Sequence, residues 1–183
     1  MLYGRVNPSG RLPYSIAKQW DDYPDRASTG ATAEYHEGLA VGYRWFDQQE
    51  IAPNFEFGFG LSYTSFHYRN LDVTVAQQGA DDPRVRVSVD VYNDGRYDGS
   101  EVPQLYLTFP KEANEPPKVL RGFEKVFINR GGKANVQFEL GRDELTYWDD
   151  KEHTWVVPQG DFVAHVGASS RDIRGTVQFS VLS

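Results

Sequence analysis

Valines at 85, 87, 89 and 91 alternate with Arg84, Arg86, Ser88 and Asp90 along RVRVSVDV. A period of two turns one face of an extended chain to a core and the other to water, which predicts a half-buried strand. KANVQFEL repeats the pattern with Ala134, Val136, Phe138 and Leu140 on one face. EVPQLYLTF, KVLRGFEKVFI, HTWVVPQGDFVAHVG and GTVQFSVL complete the set of short apolar stretches. His165 is out of phase with Phe162, Ala164 and Val166 and is expected on the wet face. The stretch NDGRYDGS is a turn or loop dense in Asn, Asp and Gly, and Gly131-Gly132 predicts a hairpin before KANVQFEL. About seven short strands with regularly spaced turns predict an all-β fold, a fibronectin type III or immunoglobulin-like β-sandwich.

Before residue 67 the pattern changes. Gly, Pro and turn signals dominate, with short apolar pieces such as RLPYSI and LAVGYRWF on either side of the polar loop DDYPDRASTGATA. No amphipathic helix of ordinary length is visible, and LAVGYRWF is expected to be a buried or interfacial strand. These pieces cannot close a core by themselves. FEFGFGLSYTSF, residues 55–66, places Phe55, Phe57, Phe59, Leu61 and Tyr63 at every second position. As an extended strand it has one greasy face that needs a cover, while Gly58 and Gly60 leave room for another backbone on the other.

Composition narrows the function classes. The 183 residues suit one large domain, or a small domain with an attached piece. A formal charge of −7 and the absence of any Lys/Arg cluster among the aromatics argue against a nucleic-acid partner. With no cysteine, disulfides and thiolate metal sites are excluded. The lack of a cysteine pair favours the fibronectin-like version of the sandwich. No apolar run reaches membrane-spanning length, so no membrane partner is expected. MLYGRVNPSG lacks the regions of a signal peptide, and Asn7-Pro8-Ser9 has proline where N-glycosylation forbids it.

Acids and aromatics gather in EYHEGLAVGYRWFD, where Glu34, Glu37 and Asp47 stand near Tyr35, His36, Tyr43 and Trp45. A sugar site uses carboxylates to grip hydroxyls and rings to stack on a pyranose. The competing expectation is structural, with the acids solvated or paired to Arg44. The four histidines lack metal-ligand spacing, and DDYPD and YWDDKE lack the calcium-loop pattern. Gly-x-Ser-x-Gly is absent. Trp155 begins a strand and is expected in the core or at the sandwich edge. Trp148 is expected in a loop, where it either touches a glucan or covers a hydrophobic edge. FPKEANEPPKVL is a Pro-rich, charged loop that can reach toward a neighbouring domain.

Six motifs in one order carry a family resemblance: NPSGRLPYSI, YHEGLAVGYRWFD, FEFGFGLSYTSF, NDGRYDGSEVPQLYL, LRGFEKV and WVVPQGDFVAHVGASSRDI. Together they resemble the C-terminal third of a family 3 glycoside hydrolase of the fungal β-glucosidase type. The resemblance implies that residues 1–50 are the C-terminal tail of an α/β sandwich domain, 51–66 a linker, and 67–183 a fibronectin type III-like domain. It implies that FEFGFGLSYTSF clamps that domain onto the body of the enzyme. The family draws its nucleophilic aspartate and its acid/base glutamate from upstream segments, so no catalytic position carries over, and no cofactor or metal is implied. Tyr43, Trp45, Glu37 and Trp148 remain as candidate sugar or interdomain contacts. The implied partners are the upstream catalytic domains, and the implied location is extracellular. The alternative expectation is a stand-alone carbohydrate- or surface-binding module, with β-glucan as partner through an exposed Trp148.

Overall fold

A computed structural model describes residues 3–24, 32, 35–77 and 82–181 of the chain. Glu34 and residues 25–31 of the polar loop lie outside the described residues.

Strands β1 (Phe66–Gln77), β2 (Arg84–Asn93) and β7 (Lys133–Leu140) form one antiparallel sheet in the order β1-β2-β7. The second sheet runs β11 (Ile173–Val181), β10 (Gly160–Gly167), β4 (Gln104–Thr108), β5 (Val119–Phe123). Two short pairs complete the strands: β3 (Gly99–Glu101) with β6 (Val126–Ile128), and β8 (Tyr147–Asp149) with β9 (Thr154–Val156). Seven strands in two antiparallel sheets are the sandwich that the alternating pattern predicts.

The period-two faces meet in a single core. Val85, Val87, Val89 and Val91 of β2 join Val136, Phe138 and Leu140 of β7, Leu105 and Leu107 of β4, and Phe162, Ala164 and Val166 of β10. Phe162 stacks on Phe179 of β11 with ring centroids 5.3 Å apart.

Four local expectations are corrected. Gly131-Gly132 does not join a hairpin: β6 pairs with β3, while β7 pairs with β2. Its backbone instead exchanges hydrogen bonds with Asn93, the Gly131 amide donating at 2.9 Å and the Asn93 amide donating to Gly132 at 3.0 Å. Turn residues mark a reversal of the chain but do not choose the sheet it enters. LAVGYRWF is no strand. Its second half belongs to a short helix, α1 (Tyr43–Gln48), entered through Gly42 at φ +61°. Six residues show too little of a 3.6-residue period to be read from sequence, and so short a helix depends on tertiary contacts.

FEFGFGLSYTSF is not extended with one greasy face either. A single bridge, Ile16 to Phe55, is followed by a turn at Gly58, whose φ is +80°. Phe55 packs on Phe59 and Phe57 on Tyr43, whereas Leu61 is left 69% exposed. The expected close approach at the glycines is present. A Cβ on Gly60 would stand 2.3 Å from the Gly10 carbonyl oxygen, and one on Gly58 would stand 2.1 Å from the Gln104 Oε1. Finally, Trp148 is in strand β8, not a loop, with Trp155 directly opposite on β9.

Candidate functional site

In a free-standing sandwich β4 would alternate between core and water. Here Gln104, Leu105, Tyr106 and Leu107 are all buried. The outward-facing members, Gln104 and Tyr106, are covered by the chain that precedes the sandwich. Tyr43 of α1 lies edge-on to the Tyr106 ring at 5.8 Å and meets Phe57 at 4.7 Å. The Gln104 amide donates to Gly58 O at 3.1 Å and to Ala168 O at 2.8 Å, and its carbonyl accepts from the Tyr106 hydroxyl. Burial pushes the Tyr106 phenol well above its usual range, with Tyr43, Asp47 and Glu56 adding to the shift.

Ion pairs hold the same junction. Asp47 of α1, its carboxylate almost wholly buried, pairs with Lys118 and, at 2.7 Å, with Arg171 Nε. Arg171 also donates to Phe46 O at 2.9 Å and Ile51 O at 3.0 Å, closing the end of α1 against the β10–β11 loop. Arg11 pairs with the buried Glu101 of β3. Asn7 is a third tie, accepting from Ser62 Oγ at 3.1 Å and the Tyr63 amide at 2.8 Å, and donating to Asp98 O at 3.1 Å. No spacing in the sequence signals these partners, because long stretches of chain separate them.

The four candidate residues have different surroundings. Tyr43 is buried, and its hydroxyl accepts from the Leu120 amide at 2.7 Å. Trp45 is partly buried, with Nε1 donating to Asp22 O at 3.0 Å. Both serve to seat α1. Glu37 lines a polar cleft of about 400 Å³ beside Glu115, Pro116 and Pro117, so FPKEANEPPKVL packs toward the N-terminal segment. Burial raises the Glu115 carboxyl, opposed by Arg121 and Arg44. Trp148 stands elsewhere, on the β8–β9 hairpin. It is 44% exposed and lies edge-on to Trp155, itself 56% exposed, at 5.6 Å. The structure therefore brings Tyr43 and Trp45 together on α1, with Glu37 just before it, and adds Trp155 to Trp148. Trp155, expected in the core or at the sandwich edge, is instead exposed, because the hairpin is too short to have a core face.

His165, expected on the wet face, is indeed out of phase with the core but only half exposed. Its Nε2 lies 2.9 Å from Thr108 Oγ1 and its Nδ1 3.4 Å from Thr176 Oγ1. Thr108 already donates to Pro117 O, so the imidazole Nε2 must carry the proton that bridges them. Burial, and then the nearby Lys118 charge, lower the His165 pKa. Among the described residues no three His, Asp or Glu side chains gather as a metal site, and no helix is long and apolar enough to cross a membrane.

A seven-stranded sandwich with a tightly seated N-terminal segment defines a fibronectin type III-like fold to which the preceding chain is bound. Comparison with known proteins agrees. Residues 1–63 match the Glycosyl hydrolase family 3 C-terminal domain, and residues 101–170 match the Fibronectin type III-like domain. The chain is 46% identical to probable beta-glucosidase L of Aspergillus fumigatus, covering 99% of this chain and 26% of that protein. The crystal structure of a beta-D-glucoside glucohydrolase from Trichoderma reesei superposes with a TM-score of 0.94 at 42% identity, covering 100% of this chain and 28% of that one. Beta-glucosidase 3B from Thermotoga neapolitana gives 0.90 at 35% identity, covering 100% and 26%. The chain matches the C-terminal region of the family 3 glycoside hydrolases, the part that includes the fibronectin type III-like domain. It spans about a quarter of the length of these relatives.

Proposed function

We propose that this region works as the accessory C-terminal part of a β-glucosidase, which hydrolyses O-glycosyl bonds of cellobiose-like sugars with catalytic groups carried upstream. Its task is to stabilise the paired catalytic domains. One observation carries this proposal. Eleven of the sixteen exposed large apolar side chains among the described residues fall between Tyr3 and Tyr63, and they include Tyr14, Trp20, Tyr35 and Leu39. So dense an apolar surface on one segment marks an interface that another body covers. Residues 1–50 are then the tail of the upstream α/β domain, 51–66 the linker, and 67–183 the fibronectin-like domain. Tyr43 and Glu37 serve as interdomain contacts in that arrangement, while Trp45, bonded to Asp22 O, braces the segment that carries them. Kinship with fungal β-glucosidases supports an extracellular location.

The test is the intact mass of the protein captured from its natural source. A chain several times larger than 20.8 kDa is expected. A mass near 20.8 kDa would overturn the accessory role.

The Trp148–Trp155 pair supports a second reading, in which the hairpin touches β-glucan through ring faces left open to solvent. The chain should then co-sediment with insoluble β-glucan, and Trp148→Ala should abolish the retention. Equal sedimentation of both proteins, or none of either, removes this reading.

A further inference from the structure

A cleft of about 320 Å³ opens between the N-terminal segment and strand β5. Leu12, Pro13, Phe57, Val102, Leu120 and Phe123 make it almost wholly apolar, and Arg11 and Lys125 stand at its rim. β5 is the edge strand of its sheet, where an uncovered apolar surface invites a partner. Phe123 is 66% exposed. The two rim cations differ: Arg11 is held by Glu101, whereas exposed Lys125 has no ion-pair or hydrogen-bond partner among the described residues.

We propose that this cleft receives a large apolar side chain from the upstream catalytic domains, with a carboxylate beside it that pairs with Lys125. The inference rests on the accessory role proposed above and names the place where the two bodies lock. Two observations select this occupant. The walls offer few hydrogen-bonding groups, so a sugar would lose its bonds to water without replacement. About three quarters of the length of the relatives lies outside this chain. In the chain, Tyr14 follows the lining residue Pro13 and is 55% exposed, so a body seated in the cleft can cover it too.

The test grafts all 183 residues onto the upstream part of the Aspergillus fumigatus relative, in place of its matching region. A photo-crosslinking benzoyl-phenylalanine replaces Phe123, and a second chimera carries it at Trp155. Irradiation followed by peptide mass spectrometry should link position 123 to upstream residues of the same molecule, next to an Asp or Glu. Phe123→Asp should shorten the half-life of glucosidase activity on heating about tenfold, and Lys125→Glu severalfold, while Gln178→Ala, at an exposed position on β11, leaves it unchanged. Phe123 and Lys125 are exposed, so the sandwich itself should fold in both variants. An active chimera with no link from position 123 and a normal half-life in Phe123→Asp overturns the cleft assignment and leaves the accessory role standing. Crosslinks only between two molecules would make the occupant a second copy and overturn it equally. A chimera whose stability does not depend on the grafted region at all would bring down the accessory role itself.

Discussion

His165 stands at the wet phase of a strand, yet it is half covered and its pKa is lowered. Burial and Lys118 lower its pKa, and both threonine hydroxyls suit the neutral ring. A folded-state pKa below the unfolded value of about 6.5 means the neutral ring stabilises the fold above that pH. That contribution is lost as pH falls from about 6.5 through the lower folded value. Melting curves across this range should show the native chain losing stability toward pH 5, with a smaller loss in His165→Gln. Parallel pH profiles would show that the ring is not responsible. Gly58 is a second residue whose role depends on its surroundings. A side chain there meets both the strain of positive φ and the Gln104 amide, so Gly58→Ala should cost at least about 2 kcal/mol in denaturant unfolding. The glycine itself was legible in FEFGFGLSYTSF as a place of close approach. That the neighbour would be Gln104 was not.

Among the elements, the β-strands announced themselves and the helix did not. Alternation over eight residues in β2 and β7 sets register and face together, because a slip of one residue would turn every valine to water. Helix α1 has no such internal logic and is held at its ends by the sandwich. Tyr43→Phe would leave the Leu120 amide without its acceptor, at a cost of about 1–2 kcal/mol. Asp47→Ala would strand two cations at a largely buried site and should cost about 3 kcal/mol. Both costs can be read from urea midpoints. If Asp47→Ala unfolds at the native midpoint, the ion cluster is dispensable and the aromatic contacts alone seat the helix. The hairpin error at Gly131-Gly132 belongs to this scale as well. Local chemistry bends the chain there, while the partner of β7 is chosen by the valine face of β2.

For the molecule as a whole, the segment before the sandwich and the sandwich itself share one interface. Tyr106 and Gln104, on the outward face of β4, are covered in part by Tyr43 and Gly58. Removing residues 1–50 should uncover that face of β4, lower the melting temperature by roughly 10 °C and raise binding of a hydrophobic dye. Unchanged melting would mean that the fibronectin-like domain stands alone, with the linker as a simple tether. The large apolar side chains of the N-terminal segment, Tyr14, Trp20 and Leu39 among them, remain exposed to solvent.

The sequence by itself determined the sandwich, its core faces and the family, because a period of two and an ordered set of motifs are local properties that survive without coordinates. It also placed the glycines of the junction. The tertiary structure alone decided that Asp47 meets Lys118 and Arg171, that Trp155 faces Trp148, and that both faces of β4 are dry. Those facts join residues distant along the chain, and their free energy depends on burial and on a charge or ring arriving from elsewhere. Neither is written in the spacing of neighbours.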